Sequence, residues 1–322
     1  MSYSIETFNK AEDILARRRE NAEYKADAKL EEISEKIPEL MNIKTKLSQI
    51  GLSISKVFLY SNDKKNDMDR LMKESLSLQE ERKELLRKNG YSEEDLSVKY
   101  SCSACCDTGF IHNRKCKCYN ELLKDIERDK LQKIAPLDEC TFDSFNTNYY
   151  PDEAYVGISP RTKAERIKES CSKYAVGFTR KSPNILFMGG TGLGKTHLSL
   201  AIANVVINKG YSVIYGTSQN ILSDLQNENF GRTDNIRYTE NDVLNCDLLI
   251  IDDLGTEFKN SYTVACLYNI INTRLSAKLP TIVSTNFSIK EIEEKYDQRI
   301  TSRITGEYNT MILLGNDIRY IK

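Results

Sequence analysis

The chain has 322 residues, enough for one full-sized domain and a smaller one. Its 46 Lys+Arg and 47 Asp+Glu nearly cancel, which excludes an overall attraction to nucleic acid and leaves room only for a local or assembly-made site. Mean hydropathy is −0.50, no apolar run approaches the ~18–20 residues that span a bilayer, and residues 1–10 lack an apolar signal core, so a cytoplasmic protein without membrane contact is expected.

Residues 1–95 are rich in Glu, Lys, Arg, Leu and Ile, with few glycines. Helices are predicted over 11–40 and 68–88, with breaks near Gly51 and at Ser61, Asn62 and Asp63. Leu71, Leu78 and Leu85 recur every seven residues, but two heptads do not make a coiled coil. A small helical bundle with solvated charged faces is expected, a surface compatible with docking a partner.

Five of the nine cysteines fall within residues 102–118. Such clustering argues for a metal rather than a disulfide framework. A C-x-x-C pair (Cys102, Cys105) and a C-x-C pair (Cys116, Cys118) can place four thiolates around one tetrahedral ion, and Zn²⁺ accepts four cysteines in closed structural sites. Gly109 supplies the turn between the pairs. Cys106 or His112 can replace one of the four, so the ligand set stays open. A redox C-x-x-C lacks its usual βαβ surroundings here. Cys140, Cys171, Cys246 and Cys266 are scattered and read as small apolar core residues. The expected layout is a helical partner-binding region over 1–95, a zinc knuckle over 96–120, a linker helix within 121–139 and a nucleotide-binding domain over 140–322.

From about residue 140 the pattern alternates between strands and helices. Strands are predicted at 184–188, 212–215, 248–252, 281–285 and 310–314, and helices at 163–179, 196–209 and 262–277. This alternation means an α/β fold with a parallel sheet and flanking helices, with ligand at the C-terminal ends of the strands.

Residues 189–196 read Gly-Gly-Thr-Gly-Leu-Gly-Lys-Thr and fit G-x-x-x-x-G-K-S/T. A buried-strand run precedes them and a helix former, beginning at His197, follows. Gly189, Gly190, Thr191, Gly192, Leu193 and Gly194 would cradle phosphates with backbone N–H groups at a helix N-terminus. Lys195 would reach the β- and γ-phosphates, and the Thr196 hydroxyl would join Mg²⁺. The apolar run from Leu248 ends in Asp252, assigned to the metal directly or through water, and Asp253, which would orient or activate the attacking water. Asn286 ends the next strand, where it can hold that water or the γ-phosphate. Arg299 and Arg303 lie four apart on a helix predicted at 298–304 and share a face. Exposed there, either can act as an arginine finger toward a neighbouring copy, or serve as an ordinary surface arginine. Within 221–242, Phe230, Arg232, Arg237 and Tyr238 can stack a base and meet phosphates. A segment packed on its own domain has the same composition, and that is the favoured expectation.

In this order, residues 184–196, 248–255, 284–286 and 298–304 resemble the AAA+ ATPases, and more narrowly the bacterial replicative-helicase loaders of the DnaC/DnaI type. The phrases Gly-Gly-Thr-Gly-Leu-Gly-Lys-Thr-His-Leu, Ile-Asp-Asp-Leu-Gly-Thr-Glu and Ser-Thr-Asn-Phe carry the likeness, and the knuckle is similar to that of the zinc-containing, DnaI-like branch. The likeness covers about 140–322; residues 1–95 match in position and helical character alone. It implies ATP, Mg²⁺ and Zn²⁺ as cofactors, slow ATP hydrolysis, and self-association through the AAA+ domains. It also implies an N-terminal grip on the hexameric replicative helicase and placement of that helicase on single-stranded DNA. Asn286 becomes the sensor residue and Arg303 the preferred finger, with Arg299 second. Two departures stand out: the second acid is Asp253 rather than Glu, and no helical lid follows residues 310–314. Arg319 receives no role. The alternatives are a helper ATPase directing a transposase to DNA, a nucleotide-switched adaptor with little hydrolysis, and small-molecule phosphoryl transfer, for which no acceptor site is recognisable.

Overall fold

The computed structural model describes residues 3–60, 63–153, 157–232 and 236–320. The predicted break at Ser61 and Asn62 lies outside them. The chain forms two compact units, Glu12–Cys116 and Met1–Ala11 with Lys117–Lys322.

Glu12–Cys116 is built on α1 (Ile5–Lys36), α2 (Glu39–Tyr60) and α3 (Lys64–Lys88). The predicted break at Gly51 does not occur, because α2 runs through it. Gly51 is exposed with open space around it, where a helical glycine costs only about 1 kcal/mol against alanine. The break falls instead at Ile37 and Pro38: proline has no N–H to donate and disfavours helical geometry in the residue before it. Leu71 and Leu78 of the heptad are buried against Ile43 and Ile50 of α2, with Leu85 partly buried, making a helical hairpin. Ile33, Ile37, Leu40 and Leu86 form a second small core. The unit ends in a two-stranded hairpin, β1 (Phe110–Ile111) and β2 (Arg114–Lys115). Its turn residues, His112 and Asn113, both have positive φ (46° and 60°), as the twist of a two-residue hairpin demands.

The other unit carries α4 (Lys117–Gln132), α5 (Pro160–Val176), β3 (Asn184–Met188), α6 (Lys195–Asn208), β4 (Val213–Thr217), α7 (Ser218–Asn229) and α8 (Glu240–Asn245). It continues through β5 (Leu248–Leu254), α9 (Ser261–Ser276), β6 (Thr281–Thr285), α10 (Ile289–Tyr296), α11 (Gln298–Glu307) and β7 (Tyr308–Ile312). Five strands pair in parallel in the order β4-β5-β6-β3-β7. The central strands are continuous apolar runs because both faces are covered. Ile185 and Phe187 of β3 enter the core shared with α5 and α6, while Leu186 and Met188 enter the core shared with α7, α9 and α11. β7 starts two residues before its predicted position, at Tyr308. Asn309 and Thr310 are exposed on this edge strand, so its apolar weight sits late in the sequence. Much of 221–242 is helical: Ile221, Leu222 and Leu225 are buried on α7, which Thr217 caps.

Candidate functional site

β3 delivers the chain to the phosphate loop at the C-terminal edge of the sheet, and α6 leaves from it. Gly194 caps α6 in the left-handed region (φ 79°), and a Cβ there would lie 2.7 Å from the Phe145 ring. Gly192 (φ 71°) meets the Asp317 carboxylate at a distance that leaves no space for any side chain. The loop is held from outside by Tyr150, whose hydroxyl donates to the Leu193 carbonyl at 2.7 Å.

Lys195 is buried and donates to the carbonyls of Gly189 (2.8 Å) and Gly190 (2.7 Å) and to Asn286 Oδ1 (2.6 Å). Burial holds its ammonium below the usual lysine range, with Asp253 and Asp252 opposing that shift. Thr196 Oγ1 donates to Asp252 Oδ2 at 2.8 Å. Asp252 is fixed by two more hydroxyls that the sequence reading did not find. Tyr215 of β4 donates to Oδ2 at 2.9 Å, and Ser284 of β6 makes a short bond to Oδ1. Two donors from two strands, Tyr215 and Ser284, hold one buried carboxylate against Thr196.

Asp253 follows in the left-handed region (φ 52°). Its N–H donates to Ser284 Oγ at 3.0 Å, and its carbonyl lies 3.1 Å from Ser218 Oγ and 2.9 Å from Thr256 Oγ1. Its carboxyl is half-buried, and burial followed by the neighbouring Asp252 pushes its pKa up, against Lys195 and Arg319.

These groups border a cleft of about 360 Å³ whose walls include Thr191, Gly192, Leu193, Lys195, Asp253 and Asn286. His197 also faces it, its ring bonded to the Thr141 carbonyl at 2.8 Å and packed on Phe145. Cys140, expected as core filler, lines the cleft beside Pro136 while remaining buried. Arg319 lines it too, paired with Asp317 at 2.6 Å. It sits on a three-residue turn, Ile318–Tyr320, too short to leave any periodicity in the sequence.

The two candidate finger arginines are set differently. Arg299 is exposed on the first turn of α11, beside an open groove with Lys259, Tyr268 and Asp297. Arg303 is half-buried, donating to Asn272 Oδ1 at 3.1 Å and stacked on Tyr268. Phe230 is 63% exposed and Arg232 is exposed, whereas Tyr238 packs against the unit's own core.

In the knuckle, the sulfurs of Cys102, Cys105, Cys116 and Cys118 lie within 4.8 Å of one another. Buried Asp107 folds the first pair by accepting from the N–H groups of Ser101 (2.7 Å) and Cys102 (2.9 Å). Gly109 (φ 77°) accepts from Cys116 N–H at 2.8 Å and returns the second pair. Cys106 is exposed and His112 is a hairpin-turn residue, and neither belongs to this group of four. Four converging cysteine sulfurs, with backbone turns already closed around them, fit a tetrahedral Zn²⁺.

A parallel sheet in this order, with a phosphate loop after β3 and two acids at the end of β5, one strand away beyond β6, defines an AAA+ P-loop nucleotide-binding protein. Residues 162–305 match the family of IstB-like ATP binding proteins. The chain is 30% identical over 201 residues to the replicative helicase loader DnaC of Escherichia coli (strain K12), covering 62% of this chain and 76% of that protein. To the replicative helicase loader DnaC of Buchnera aphidicola subsp. Baizongia pistaciae it is 27% identical over 142 residues, 44% of this chain and 57% of that one. Two similar solved structures are the DnaC helicase loader (TM-score 0.44, 19% identity, 54% of this chain and 98% of that one) and DnaI (TM-score 0.40, 19% identity, 57% and 93%). The chain belongs to the DnaC-type family of replicative helicase loaders.

Proposed function

We propose that this chain is an ATP-dependent loader that binds the hexameric replicative helicase and helps place it on single-stranded DNA. The observation that supports it most is 30% identity to a named helicase loader over 76% of that protein's length, on a chain that carries a phosphate loop and an acid pair. ATP binds by its phosphates on the 189–194 loop and the start of α6, where N–H groups and the helix dipole meet negative charge. Lys195 exchanges its loop carbonyls for phosphate oxygens and keeps Asn286 beside the γ-position. Thr196 and Asp252 would hold Mg²⁺, which when bound would neutralise phosphate charge, with Tyr215 and Ser284 fixing Asp252. Asp253 orients and deprotonates water, and an arginine of α11 from a neighbouring copy completes the charge stabilisation. Zn²⁺ on the four knuckle cysteines is structural. The setting is cytoplasmic.

A second reading, a nucleotide-switched adaptor with little hydrolysis, is favoured by one observation: Asp253 carries one methylene less than glutamate. Co-purification of the full ATP-bound chain with the host's hexameric helicase tests the proposal. Stable capture followed by ATP-dependent deposition of helicase on circular single strands is expected. Capture without any turnover leaves the adaptor. Capture of a transposase in place of helicase overturns the loader.

A further inference from the structure

Immediately beyond the catalytic end of β5 stands a buried carboxylate that none of the nucleotide chemistry uses. Glu257 is 3% exposed. Its Oε2 accepts from the Gly255 N–H at 3.1 Å and from Ser218 Oγ at 2.5 Å, and the Ser218 oxygen also lies 3.1 Å from the Asp253 carbonyl. Its Oε1 accepts a short bond from the Tyr296 hydroxyl and faces Lys295 Nζ at 3.5 Å. Lys295 in turn donates to the Glu257 carbonyl at 2.9 Å and to the Gly255 carbonyl. Burial alone would push this carboxyl up, but the Ser218, Tyr296 and backbone hydrogen bonds hold it below the usual range. A buried charge this well partnered fixes its surroundings, because loosening any partner leaves the charge uncompensated.

The groups it joins are the informative part. On one side, through the Gly255 N–H and Ser218, is the left-handed turn that carries Asp253, the proposed water-orienting acid. On the other is Tyr296, the last residue of α10. Asp297 follows with φ 126°, and its carboxylate caps α11 through the N–H groups of Arg299 (2.8 Å) and Ile300 (3.2 Å). Glu257, Ser218 and Tyr296 do not line the nucleotide cleft. We propose that Glu257 is a positioning residue that couples a copy's own nucleotide site to the arginine helix it presents to its neighbour. A rearrangement at Asp253 on binding or hydrolysis moves the start of α11 through one carboxylate, so the state of one site sets the finger offered to the next. This rests on the reading of α11 as a finger helix acting between copies.

The test uses the full chain as Glu257→Gln and, separately, Tyr296→Phe, with Arg299→Ala/Arg303→Ala as the reference for finger loss. Turnover per chain is measured against protein concentration, and KM for Mg·ATP alongside it. Both variants are expected to keep KM within about threefold while losing at least about tenfold of the concentration-dependent rise in kcat, a split that a merely structural role does not give. If Glu257→Gln fails to fold, Tyr296→Phe, which removes one hydroxyl, decides. A KM that rises in step with the loss of kcat overturns the coupling in favour of local support of the site. Unchanged turnover in both variants, where the arginine variant loses it, overturns the coupling alone. Wild-type turnover that ignores concentration, or an arginine variant that matches wild type, removes the finger reading and the coupling with it.

Discussion

Asp253, the proposed water-orienting acid, has an unusual backbone. A non-glycine residue in the left-handed region needs outside support, and Ser284 and Thr256 supply it by hydrogen-bonding the Asp253 peptide groups. Burial and the adjacent Asp252 disfavour its ionised form, so its pKa lies above the ordinary aspartate value of about 3.9. As the proposed base, Asp253 gains its ionised form as pH rises through that raised value. The acid limb of kcat/KM is therefore expected above the ordinary aspartate range, and Asp253→Asn is expected to bind Mg·ATP but not turn it over. The same shift means that folding stability falls as pH climbs from the ordinary value to the raised one. A pH–rate profile checks this; an acid limb at or below the ordinary value assigns the base elsewhere. Lys195, Thr196 and the acid pair could be read from the sequence because their roles impose fixed spacing on one stretch of chain. Tyr215, Ser284 and Arg319 could not, since each reaches the site from a different element.

At the scale of elements, local chemistry decided most boundaries and burial decided the rest. Pro38 ends a helix by what it lacks, whereas Gly51 ends nothing because an exposed helix tolerates it. Residues 221–229 were read for their aromatic and basic neighbours, yet their i, i+1 and i+4 apolar spacing makes α7. The knuckle shows the opposite balance. Its cysteine spacing was sufficient to group four sulfurs, and the hairpin turn then took His112 out of reach. Elemental analysis of purified protein is expected to give about one zinc per chain, lost in Cys102→Ser/Cys105→Ser with a fall in thermal stability. Metal-free protein with the same unfolding temperature would remove zinc from the account.

For the whole molecule, near-neutral charge means that any grip on single-stranded DNA has to come from a few residues repeated by assembly. Phe230 and Arg232 are exposed at the end of α7, the arrangement a stacking platform requires. Phe230→Ala with Arg232→Ala is expected to weaken single-strand binding by the ATP-bound assembly about tenfold or more, at roughly 1–3 kcal/mol per stacked base, and to leave monomer nucleotide binding intact. Titration with a fluorescent oligonucleotide measures it, and unchanged affinity removes this surface from the DNA path. By itself the sequence determined the phosphate loop, its acids, the cysteine group and the α/β class, because these depend on spacing along one chain or on the period of burial. Only the tertiary structure decided which hydroxyls fix Asp252, that Arg319 borders the cleft, and that Glu257 ties the end of β5 to α10. Those contacts join residues tens to more than a hundred positions apart, and they exist because the sheet order places the ends of separate strands side by side.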